Sequence, residues 1–79
     1  MDEKLKINIH SANKQNIKRV SRKCVEFLKS GKNRTVVLKA KSSAIPKAIS
    51  ISEVVKMEIS NATQINSLIN LEVSFIFAT

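Results

Sequence analysis

The sequence predicts an α/β fold, a two-layer sandwich of order β-α-β-α-β with a tail long enough for a fourth strand and both helices on one face of the sheet. Three observations carry that expectation. Residues 4–10 and 35–40 read as strands. Each is followed by a segment whose apolar residues recur at helical spacing. The tail from Ile65 onward alternates apolar and polar positions over an unusual length. Strands that alternate with helices argue for layered α/β architecture, and strand-helix-strand units cross over right-handed. With 79 residues, one domain spanning 1–79 is expected.

The elements follow in order. In Lys4-Leu5-Lys6-Ile7-Asn8-Ile9-His10, the three aliphatic residues fall on one face, and Lys6, Asn8 and His10 on the other. That is the pattern of a half-buried strand. Ser11 or Asn13 is then placed to cap a helix running from about Lys14 to Ser30. Ile17, Val20, Cys24, Phe27 and Leu28 make its apolar stripe. Lys29 in the last turn and Gly31 just beyond suit a helix C-terminus. Thr35 to Ala40 is rich in β-branched residues, and its unbroken apolar run suggests a central strand. Ser42 and Ser43 are expected to cap the second helix, with Pro46 in its first turn. Its stripe is Ala44, Ile45, Ala48, Ile49, Ser52, Val55 and Ile59, and it should end near 57–60. In the tail, Ile65, Ser67, Ile69, Leu71, Val73, Phe75 and Phe77 are expected on one face, in one long strand or two short ones joined near Asn66–Asn70.

Composition narrows the function. A chain this short buries roughly 60–65 % of the surface it exposes when unfolded, so its core is marginal. One Cys makes no internal disulfide, and no set of metal ligands is apparent. Oligomerisation is the remaining way to stabilise a small fold. No run of about 18 apolar residues exists, so no transmembrane helix is expected. Met1-Asp2-Glu3-Lys4 is not the start of a signal peptide. An intracellular home, nucleus or cytoplasm, and no membrane partner are the expectations. The formal charge is +8, from 14 Lys and Arg against 6 Asp and Glu. Every basic residue lies within 1–56, whereas 57–79 hold only Glu58 and Glu72 as charged residues. Such an excess points to a polyanionic partner.

An enzyme reading fares badly. His10 is the only His and falls on the polar face of the first strand, where it reads as an ordinary surface residue. Cys24 sits on an apolar stripe, as a small buried hydrophobe would. No paired carboxylates have acid/base spacing, and one Gly rules out a P-loop or dinucleotide fingerprint. No catalytic residue, cofactor or metal is expected. The basic residues say more. Lys14, Lys18 and Arg22 recur at four-residue intervals and line one helical stripe. Lys39 and Lys41 lead into the second helix, with Lys47 one turn on. Few acids are interleaved, so the set can follow a phosphate backbone. Helix N-termini near Asn13 and Ser43 would add backbone donors. No aromatic lies among the basic residues, so sugar-phosphate tracking fits better than base stacking.

The stretch Val36-Val37-Leu38-Lys39-Ala40-Lys41-Ser42-Ser43-Ala44-Ile45-Pro46-Lys47-Ala48-Ile49 resembles the central signature of the Alba family, and Ser52-Glu53-Val54-Val55-Lys56 is similar to the continuation of its helix. The resemblance covers roughly residues 5–60. It implies a β-α-β-α-β-β fold and a small non-enzymatic protein that dimerises and binds RNA or DNA along the sugar-phosphate backbone. By position it nominates Lys14 at the start of the first helix, Lys41 in the turn, and Lys47. Ser42 stands where a Gly is usual, and Ser43 where a second basic residue is common. The tail to Thr79 lacks a clear basic hairpin arm, so the hairpin is expected to be short or missing, and RNA is placed ahead of DNA. Phe27-Leu28-Lys29-Ser30-Gly31 and the Ala-Ile and Ser-Ile pairs from Ala44 to Ile51 are also similar to the Alba-type small subunits of ribonuclease P and MRP. That branch implies a ribonucleoprotein subunit acting mainly through heterodimer assembly.

Overall fold

A computed structural model describes residues 3–11 and 16–79. Strand β1 (Glu3–Ile9) leads through α1 (Ile17–Lys29) to β2 (Arg34–Lys41). A 3-10 turn, Ser42–Ala44, opens into α2 (Ile45–Glu58), and the chain finishes with β3 (Thr63–Ile69) and β4 (Glu72–Ala78). The four strands form one mixed sheet in the order β1-β2-β4-β3. β1 and β2 run parallel, while β4 is antiparallel to both β2 and β3. This is the expected α/β architecture, with the fourth strand present.

One apolar core joins the helices to one face of the sheet. Val20, Cys24 and Leu28 of α1 and Ala48, Ile51 and Val55 of α2 cluster with Ile9, Val36, Leu38, Ala40, Phe75 and Phe77. β2 is central and the best buried strand, as its apolar run predicts. Small residues at the start of α2, Ala44 and Ala48, are both buried and let the helix approach the sheet closely. Ile51, fully buried, belongs to the α2 stripe, whereas Ile49 is 43 % exposed and leaves it.

Both helix starts differ from expectation. α1 begins at Ile17, and its cap is Asn16 rather than Ser11. The Asn16 Oδ1 accepts from the backbone N–H of Lys18 at 2.8 Å and of Arg19 at 3.3 Å. Those are the donors a helix leaves orphaned in its first turn. Asn13 and Lys14 lie outside the described residues. At α2, neither Ser42 nor Ser43 caps through its side chain. Ser42 adopts φ 50°, which turns the chain into the 3-10 turn, so the helix starts later, with Pro46 in its first turn. At the far end of α1, Gly31 is not the left-handed residue; Asn33 is, at φ 57°. Gly31 serves a close approach instead. A Cβ there would stand 2.5 Å from the Arg34 Nε, and Arg34 is held by Glu3 at 3.4 Å and stacked on the Phe27 ring at 4.9 Å.

The tail corrects two expectations. A β3–β4 hairpin is present, each strand seven residues long, so it is not missing. It carries no Lys or Arg. Its two-residue turn, Asn70-Leu71, has φ 52° and 63°, the geometry of a tight hairpin connection. That turn sets Ile69 opposite Glu72 and Ile65 opposite Ile76. Odd-numbered residues of β3 therefore share a face with even-numbered residues of β4. Ile65, Ser67 and Ile69 lie on the face away from the helices, and Val73, Phe75 and Phe77 on the face toward them. A two-residue turn shifts the strand period, which alternation alone does not reveal.

Candidate nucleic-acid interface

Parallel pairing of β1 with β2 sets Ile9 opposite Ala40, so the residues leaving both strands emerge side by side. There they bound a shallow concavity of about 520 Å³, lined by Asn8, His10, Lys39, Lys41, Ser43 and Glu72 among others. The C-terminal ends of parallel strands are where open α/β sheets place ligands. Lys41 is exposed, and its Nζ stands 3.9 Å from the Glu72 carboxylate directly across the β2–β4 pairing. Lys39 is half-buried on the same side of β2. The left-handed turn at Ser42 carries the chain over the rim into α2. Anionic groups entering here would meet the two lysines, the His10 ring and the Ser43 hydroxyl.

The sequence-predicted basic residues divide into groups. Lys39 and Lys41 come together in the concavity. Lys47 is half-buried in the early part of α2. Lys18 and Arg22 are exposed on α1, where they border a separate groove with Ile17, Val25 and Val54 between the two helices. Lys14 lies outside the described residues. The expected backbone donors are also fewer than two free helix N-termini would offer. Asn16 already occupies two amides of α1, and Pro46 lacks an N–H at the start of α2.

Two residues of the concavity escape a reading by sequence alone. His10 looks like a solvated strand residue until the parallel register brings it level with Lys41. Glu72 is far away in sequence and arrives only through the pairing of β4 with β2. The one usable signal for His10 is its place just past the first strand of a strand-helix-strand unit.

Cys24 takes no part. It is fully buried, and burial pushes its thiol up to about 11, against which the charge of Lys23 acts only weakly. It stays protonated at neutral pH and is a poor nucleophile. Among the described residues no three His, Cys, Asp or Glu stand together as metal ligands. No helix among them is long and apolar enough to cross a membrane.

These features define the class: a small basic α/β domain with a polar, cation-lined concavity where its parallel strands end. The family model described as Alba matches residues 7–71, and the chain belongs to the Alba family. Nucleic-acid binding in general, without catalysis, goes with that family, and oligomerisation is frequent in it. No curated protein and no solved structure matches the chain.

Proposed function

We propose that this protein binds RNA, ahead of DNA, by gripping the sugar-phosphate backbone at the ends of β1 and β2 and the turn into α2. The register that gathers Lys39, Lys41, His10 and Ser43 at one rim carries this reading. Lys47 extends the rim along α2, and Lys18 and Arg22 supply a second basic tract on the helix layer; Lys14, nominated by the sequence, is a further candidate contact. The preference for RNA rests on the β3–β4 hairpin. Without a Lys or Arg it has no cation to insert into the minor groove of a DNA duplex. Binding is electrostatic, by a protein that is not an enzyme and works inside the cell.

The bound form is a dimer, with itself or with a related Alba-type chain. A groove between α2 and the hairpin supports this: Ile49, Val73 and Phe75 line it with Gln64 and Asn66, and Ile49 and Leu68 are 43 % and 66 % exposed. Covering such apolar surface suits a second chain. The same groove favours a second reading, in which the chain is a non-catalytic ribonucleoprotein subunit of the ribonuclease P/MRP kind and acts chiefly through heterodimer assembly.

Fluorescence anisotropy separates the two. Labelled single-stranded RNA, structured RNA and duplex DNA are titrated with protein at about 50 and 200 mM salt, a range over which several phosphate contacts cost orders of magnitude in affinity. RNA binding that falls with salt, and weakens by about tenfold or more in Lys39→Ala/Lys41→Ala, supports the backbone grip. Absence of binding at the lower salt leaves assembly as the function.

A further inference from the structure

The face of the sheet turned away from the helices has a layout that the rim does not use. Register fixes its membership. Lys4 and Lys6 of β1 lie level with Thr35 and Val37 of β2, and Lys39 lies level with Asn8. Val37 pairs with Ile76 of β4, which pairs in turn with Ile65 of β3. One row across the sheet therefore reads Lys6, Val37, Ile76, Ile65. The rows on either side contribute Thr35, Ala78 and Thr63, and Ser74 and Ser67. The face thus has two lanes. The lane along β1 and β2 carries lysines: Lys41 and Lys39 at the rim, then Lys6 and Lys4. The lane along β4 and β3 is a low platform of aliphatic and hydroxyl side chains. Val37, between them, is only 6 % exposed although no helix covers it. Ile65, at the outer edge of the platform, is 57 % exposed. Lys4 and Lys6 are exposed, and no ion pair among the described residues holds Lys4, Lys6 or Lys39.

We infer that this open face is a track for single-stranded RNA, with phosphates running down the lysine lane from the rim and bases lying over the platform of Ile76, Ile65 and the flanking hydroxyls, Val37 forming the buried floor between the lanes. The inference rests on the RNA reading of the rim and extends it by a second surface. Same-face residues along a strand recur about every 6.6 Å, a spacing that lets successive lysines meet successive phosphates. Lys6 and Ile76 are two strand spacings apart, about 9.5 Å, which separates a charged lane from an apolar one as a nucleotide separates phosphate from base. A duplex hides its bases and cannot lay them on the platform beside the lane, so it does not settle along Lys4 and Lys6. Serine and threonine hydroxyls pair with base edges of either kind. No aromatic stands on the face, so the track is indifferent to sequence, and charge dominates its affinity. The lysine lane is continuous with the rim through Lys39, which belongs to both.

The test compares Lys4→Gln/Lys6→Gln with wild type, and with Lys23→Gln/Lys29→Gln, two exposed positions of α1 in the helix layer on the other face of the sheet, as a charge-matched control. The log of the affinity for a single-stranded RNA 12-mer is measured against the log of salt concentration, alongside a duplex of the same sequence. Two lost phosphate contacts lower the slope by about 1.4 with the single strand. The control leaves it unchanged, and the duplex shows no such difference. Lysine acylation, with and without the 12-mer, is read on the wild type, so that the result does not hang on a variant's folding: Lys4 and Lys6 become protected. Ile65→Asp, at an exposed position, weakens single-strand binding. An unchanged slope with Lys4 and Lys6 still fully reactive overturns the track and leaves the face to another partner, such as an acidic amphipathic peptide. An equal loss on the duplex also overturns it. Wild-type protein that binds no RNA defeats the rim reading itself, which is a separate outcome.

Discussion

Cys24 shows how one buried side chain ties stability to pH. Its thiol sits under α1 against the sheet, and burial raises it from 9.0 to about 11. The folded chain therefore keeps the proton over a range in which the unfolded chain has lost it. The contribution is complete below about pH 9 and is lost as pH rises toward 11. Denaturant midpoints measured from pH 8 to 11 should fall across that window, and should fall less in Cys24→Ala once its lower starting stability is allowed for. Its place on the helical stripe was legible from spacing alone. His10 was not: its position beside Lys41 depends on which strands pair and in which direction, which no local pattern encodes. The Arg34 contacts with Glu3 and the Phe27 ring were hidden for the same reason.

At the scale of elements, periodicity served where one period governs a whole segment. β1, the buried side of α1 and the unbroken run of β2 follow from it. It failed at the joints. Asn16 rather than Ser11 caps α1 because a cap is chosen by which side chain reaches the first free amides. In the tail, alternation alone misplaces the faces because the Asn70-Leu71 turn changes which parity faces the helices. That turn also stores strain. Leu71 adopts φ 63° and is 79 % exposed, so its side chain gains little burial to offset a left-handed backbone. Leu71→Gly should stabilise the protein by about 1 kcal/mol, as expected from relieving the left-handed penalty on a residue with a Cβ. Thermal unfolding measures it, and a lowered midpoint would show that the Leu71 side chain is covered by something else.

Across the whole molecule, charge and apolar surface are divided between regions. The lysine-bearing first part of the chain builds the rim and one half of the open sheet face. The tail builds the hairpin and, with α2, the apolar groove. This division suits a protein that holds a partner chain on one side and a polyanion on the other. Ile49→Glu places a carboxylate in the groove at a position already 43 % exposed in the isolated chain, so the fold should survive while self-association is lost. Sedimentation of wild type as a dimer and of the variant as a folded monomer is the expected pair of results. Wild-type protein that is monomeric alone points to a heterologous partner.

Backbone amide shifts, followed by NMR as single-stranded RNA is added, decide whether nucleic acid is held where β1 and β2 end. The largest changes are expected at His10, Ser11 and Lys41 through Ala44, diminishing as salt rises. Changes confined to the opposite end, at Gly31 through Asn33 and Ser60 through Ala62, with the rim silent, would contradict that placement.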